Sequence, residues 1–164
     1  MPRWTASHQF YELVPLGRNQ PLGTMRQIRF RAQDVASNKW IYGDLRHHKD
    51  DVCIFVQGGT KGEQVKRDTV CQFAGVKDKD GQDIYEGDIV ECVSWNEYFS
   101  KDGQPMEPFR RKMYVDFRKG AFVMVEPMPE PLQDHEWPII YNGDITIIGN
   151  RFDNPELIAN KSLG

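Results

Sequence analysis

No apolar run in this 164-residue chain approaches the ~20 residues that a membrane-crossing helix needs, so no helical span is predicted. The opening MPRWTASHQFYELVPLG lacks the continuous apolar core of a signal peptide, and the expectation is a soluble, cytoplasmic protein with no membrane partner. Cysteine is scarce. Cys53, Cys71 and Cys92 are widely spaced, form no CxxC pair and would leave one thiol over from any disulfide, which argues against a disulfide scaffold and for reduced, buried thiols. Also missing are GxSxG, HExxH and a cysteine with a linked histidine signature, so the sequence nominates no catalytic residue, no metal ligand and no cofactor. Neither sign of charge dominates, since the formal balance is only −3. Its distribution is uneven, however. Residues 1 to 31 carry Arg3, Arg18, Arg26, Arg29 and Arg31 against Glu12, a local +4 (5 minus 1), whereas residues 126 to 156 hold seven acids against Arg151, a local −6 (1 minus 7). Such opposed regions attract within or between chains, and homo-oligomerisation is one expectation.

What the chain does have is aromatic and turn-forming residues. With 39% hydrophobic residues, 9 Phe, 6 Tyr and 4 Trp, it is too apolar to be disordered, and its length suits one domain. Pro2, Pro15, Gly17, Pro21 and Gly23 interrupt every periodicity before Met25, so residues 1–24 read as an extension and 25–164 as the single domain. From there short strands follow one another. Ile28, Phe30 and Ala32 alternate with Gln27, Arg29 and Arg31, the period of a half-buried strand with a basic outer face. Trp40 to Tyr42 reads as its hairpin partner, ending at Gly43-Asp44, and Val52 to Val56 as the next strand. Asp80-Gly81 and Glu86-Gly87-Asp88 supply two tight turns before a strand at Ile89 to Trp95. Met113 to Phe117 and Ala121 to Val125 form a hairpin through Arg118-Lys119-Gly120. Asn96 to Pro108 reads as an exposed insertion, and four prolines between Glu126 and Pro138 exclude a central strand or helix over most of that stretch. Ile145 to Ile148 is the last strand. Asn154-Pro155-Glu156 then predicts a short C-terminal helical turn with Asn154 as its N-cap. Seven or eight short strands without a long amphipathic helix predict a mainly β fold, a small barrel with additional strands and hairpins. Phe30, Trp40, Phe73, Ile89, Val115, Phe117, Phe122 and Ile147 are its expected core.

Several local patterns resemble chemistry without sustaining it. Setting Gly81 at the sixth position of a calcium loop puts Val76 at the first ligand and Gly87 at the bidentate one, so Asp78, Asp80 and Asp83 read as a solvated hairpin. Gly58 to Gly62 lacks phosphate-loop spacing. His47 and His48 are adjacent on a strand and point to opposite faces, and His135 has no ligand spacing around it.

Four blocks taken together, MRQIRFRAQD from Met25, YGDL from Tyr42, QFAGVKDKDGQDIYEGDIVE from Gln72 and IGNRFDNPEL from Ile148, resemble the YopX family of phage and prophage proteins. The resemblance implies a β-rich fold with an SH3-like barrel and carries no established activity. Relatives usually start near Met25, and many have Trp where this chain has Gln33 after its FRA.

The leading functional expectation is a non-enzymatic, phage-type accessory protein that binds another macromolecule, a protein first, through loops on a rigid β scaffold. The alternative is nucleic-acid binding, with Arg26, Arg29, Arg31, Arg110 and Arg111 (and Lys112) on phosphates and Trp95, Tyr98 and Phe99, with Trp40 and Tyr42, stacking bases. A hydrolase or nuclease whose site is assembled from distant residues is the third.

Overall fold

The computed structural model describes residues 27–49, 51–94, 109–129, 132–139 and 144–159. The extension 1–24 and the expected insertion 96–108 lie outside them. Among the described residues the fold is mainly β, with eleven strands in two antiparallel sheets and two single turns of 3-10 helix.

The first sheet contains β1 (Phe30–Gln33), β2 (Trp40–His48), β3 (Asp51–Phe55), β4 (Gly62–Gln64), β5 (Cys71–Lys77) and β6 (Asp83–Tyr85), in the order β4-β3-β2-β1-β5-β6. Strand β2 does not stop at Gly43-Asp44 as the turn chemistry suggested. Its first residues pair with β1 and those from Asp44 onward pair with β3. Gly43 marks the changeover because a Cβ there would lie 2.1 Å from the Phe55 carbonyl oxygen, so a bare backbone is what lets β2 pass so near β3. At the far edge an isolated bridge joins Asp34 to Val65, and the amides of Val35 and Lys66 donate to the carbonyls of Gln64 and Gln33 at 3.1 and 2.8 Å. The sheet therefore curls until β4 meets the end of β1. One bridge is not a ladder, and the described strands form two open sheets rather than one closed shell.

The second sheet runs β10-β9-β8-β7-β11, from β7 (Asp88–Ser94), β8 (Phe109–Arg118), β9 (Ala121–Glu126), β10 (His135–Pro138) and β11 (Asp144–Asn150). Lys119 and Gly120 both have positive φ, 52° and 86°, the pattern of a two-residue hairpin turn whose twist matches its strands. The proline-rich stretch yields only the short β10, at the sheet edge, where a missing amide is tolerated. The outer edge of β11 is closed by the turn after β5. Asp78 is 6% exposed. Its carboxylate accepts from the amides of Asp80, Gln82 and Ile147 at 2.9, 2.9 and 3.3 Å, while the Lys79 amide donates to Ile145. This corrects the reading of that hairpin as simply solvated. The C-terminal turn is one 3-10 turn, Pro155–Leu157, and Asn154 does not cap it. Its side chain instead accepts from the Asn150 amide at 3.4 Å.

The expected core residues do not meet at one centre. Ala32, Val52, Ile54 and Val65 fill the curled first sheet, whereas Ile84, Val90, Met113, Val115, Phe122, Met124 and Ile145 lie over the second. Phe117 is 51% exposed and only leans on Phe122, so it leaves the core list. Between the two clusters sits a third, of Cys71, Phe73 and Tyr85 with Trp40 and Phe152 packed on it. All three thiols are free, Cys71 and Cys92 buried and Cys53 half-buried.

Candidate functional site

The junction between the sheets is where the sequence's basic strand acquires a different meaning. Strand β1 is buried on both faces: Ala32 points into the first core, while Arg31 and Gln33 face the junction. Arg31 is thus not on an outer basic face. Its guanidinium lies 2.5 Å from the carboxylate of Asp88, which is itself 1% exposed at the head of β7. Asp88 also accepts the Tyr85 amide at 2.8 Å. A buried charge is tolerated only when paired and hydrogen-bonded, and this arrangement supplies both. Burial disfavours the Arg31 charge, but Asp88 more than offsets that and raises the guanidinium's affinity for its proton. Burial pushes the Asp88 carboxyl up, against the pull of Arg31.

Around this pair, arginines and rings stack into a continuous ladder. Arg29 lies over Phe73 at 4.4 Å and Arg31 over Tyr85 and Trp40 at 4.9 and 4.7 Å, with Arg151 over Phe152 at 5.1 Å. Ring contacts join Phe73 to Tyr85, Tyr85 to Tyr42 and Trp40 to Phe152 at 5.6 to 5.7 Å. The far end is held by Asp153, which accepts from Trp40 Nε1 at 2.7 Å, Asn150 at 2.8 Å and Gln33 at 3.0 Å. Bonds from Asn150 and Trp40 hold its carboxyl below the usual range. Gln33 therefore does polar work at the position where a stacking ring was the familiar choice. The neighbouring Cys71 thiol is pushed up to about 11, chiefly by burial.

The near end of the ladder opens to solvent. Gln27, Arg29, Tyr42, Asp44, Gln57 and Tyr85 are among the residues lining a cleft of about 380 Å³. Tyr42 is 50% exposed there, and Ile28, at 58%, adds an apolar lip.

Every described arginine of the nucleic-acid reading is held by an acid. Arg29 meets Asp83 at 2.8 Å, Arg31 meets Asp88, Arg110 meets Glu91 at 2.7 Å and Arg111 meets Glu126 at 2.6 Å. Arg29 and Arg31 come together at the junction, whereas Arg110 and Arg111 are adjacent on β8 in the other sheet. Arg26, Trp95, Tyr98 and Phe99 lie outside the described residues. Sequence reasoning missed the partners: Asp88 was taken for turn chemistry and Asp83 for a solvated hairpin, and no local spacing distinguishes either. The acidic stretch after Glu126 is likewise engaged within the chain, with Glu136 on Arg118 and Lys119 at 3.3 and 3.1 Å. His135 Nδ1 stands 4.0 Å from Glu126, a carboxylate already taken by Arg111, and His47 and His48 are exposed at the end of β2.

A family model described as YopX protein matches residues 29–159. The crystal structure of protein EF1440 from Enterococcus faecalis is similar at 20% identity and a TM-score of 0.43, over 82% of this chain and 99% of that one. No curated protein matches this chain.

Proposed function

The chain belongs to the YopX protein family, and we propose that within it this protein acts as a non-enzymatic, phage-type accessory module that binds a segment of another protein in the cleft beside Tyr42. One observation carries the choice between partners. The four described arginines nominated for phosphate are already paired with Asp83, Asp88, Glu91 and Glu126, while the cleft presents the half-exposed Tyr42 ring beside polar groups. Nucleic-acid affinity rests on unneutralised lysine and arginine and on the counterions they release, so the pairing weighs against it. A cleft with an aromatic anchor and a few polar groups is a suitable seat for side chains of a peptide segment. The Asp34–Val65 bridge supports reading the curled first sheet as an SH3-like barrel, the scaffold for that cleft.

The test is a photo-crosslinking amino acid at Tyr42 of the full chain, activated in host cells. A discrete protein adduct that Ile28→Asp suppresses is the expected result. Adducts to nucleic acid, together with single-strand affinity at about 50 mM salt that falls steeply as salt is raised, would transfer the assignment to the nucleic-acid reading.

A further inference from the structure

The same five-residue pattern, Tyr-x-Asp-x-Arg, occurs twice in this chain, as YGDLR at 42–46 and YVDFR at 114–118, and the structure treats the two copies differently. On β8 the arginine turns back on its own tyrosine and aspartate, besides meeting Glu136 at 3.3 Å. Tyr114 and Asp116, two apart on one strand face, clamp Arg118: its guanidinium lies 5.9 Å from the Tyr114 ring centroid and donates to the Tyr114 hydroxyl at 2.8 Å and to Asp116 at 2.9 Å. On β2 the arginine goes elsewhere. Arg46 lies over the Phe55 ring at 4.3 Å, on the partner strand β3. Tyr42 and Asp44 are left lining the cleft, and among the described residues neither has a cation on it.

Other arginines of the fold likewise combine a ring with a carboxylate. Arg29 takes Phe73 and Asp83, Arg31 takes Trp40 and Asp88, and Arg111 takes Trp137 and Glu126. Tyr85, 3% exposed, also lines the cleft, with the Tyr42 ring packed edge-on against it at 5.7 Å. The cleft's own arginine, Arg29, is committed to Asp83.

We propose that Tyr42 and Asp44 form a clamp for an arginine side chain presented by a partner protein, the guanidinium stacking on the Tyr42 ring and donating to the Asp44 carboxylate. This rests on the protein-binding reading above and names what that cleft takes. Arginine fits better than lysine because its planar group stacks and donates to the carboxylate at the same time, as Arg29 and Arg31 do.

The probe is an acetyl-Gly-Arg-Gly-amide peptide titrated into the isotopically labelled full chain, against the citrulline peptide, its neutral isostere. Saturable shifts of the Tyr42, Gly43 and Asp44 amides are expected with the arginine peptide, at least tenfold weaker affinity with citrulline, and the same loss in Asp44→Asn and Tyr42→Ala. Tyr42→Phe keeps the ring and should keep binding, and Asp116→Asn should not alter it. No shift at roughly 10 mM peptide, equal binding of citrulline, or unchanged affinity in Asp44→Asn would overturn the clamp. If Arg18→Gln with Arg26→Gln moves these amides as Asp44→Asn does before any peptide is added, the cation is the chain's own and the partner assignment fails. A crosslinked protein adduct at Tyr42 that survives Asp44→Asn would leave the binding module standing and remove only the arginine.

Discussion

Arg31 and Arg118 each meet a carboxylate and an aromatic ring, yet one pair lies at the junction of two sheets and the other on an open strand face. Arg31 and Asp88 have side chains 9% and 1% exposed, whereas Arg118 and Asp116 stand at 29% and 22%. Solvent decides what each is worth. At the junction neither charge can be rehydrated if its partner is lost, so the pair enforces the docking of β1 against β7. On β8 water replaces whatever is removed, and the clamp contributes local order.

The comparison is sharpened most by Asp88→Ala. Leaving Arg31 charged and buried is expected to cost about 3 to 5 kcal/mol, read as a lowered urea midpoint, and Arg31→Met with Asp88→Leu should regain most of it because the stranded charge goes too. A loss below about 1 kcal/mol in the single variant would mean that water reaches the junction. Next in size is Asp78→Ala, which removes the acceptor for three backbone amides and unfastens the edge of β11, at about 2 to 3 kcal/mol. Burial works to raise the Asp78 carboxyl, but the amides of Gln82, Ile147 and Asp80 lower it on balance. Its contribution is therefore present above the ordinary carboxylate range and fades as pH falls through the lowered value, and the variant's acid unfolding curve should be correspondingly flatter.

Alkali probes the junction through Cys71. Its thiol, raised to about 11 by burial, ionises in the unfolded chain before it ionises in the folded one. Stability should thus fall as pH climbs from the ordinary thiol range toward 11, by about 2 kcal/mol, and Cys71→Ala should remove that slope. Equal slopes in both proteins would show that the thiol does not share the junction's dryness. Smallest is Asp116→Asn, expected to cost about 0.2 to 1 kcal/mol and less as salt rises. A cost matching that of Asp88→Ala would erase the distinction between the two regions.

How much was legible follows from the range of the interaction involved. The β8–β9 hairpin, the turns at Gly81 and Gly87 and the confinement of prolines to an edge could be read because each depends on φ preferences or a missing amide within a few residues. The same local logic erred at Gly43, which looked like a strand end because a glycine bare for the sake of a neighbouring strand looks the same in sequence as one bare for a turn. Alternation along β1 correctly separated Ala32 from Arg31 but not which side was wet, since a strand buried on both faces keeps its period of two.

From composition and turn chemistry alone, this chain was bound to be a mainly β protein of short antiparallel hairpins with thiols kept from one another. Which arginine is buried, which is clamped and which ring is left facing solvent was settled only on folding. Arg31 and Asp88 lie 57 positions apart, and pairing at that separation depends on how two sheets dock, which no local preference encodes.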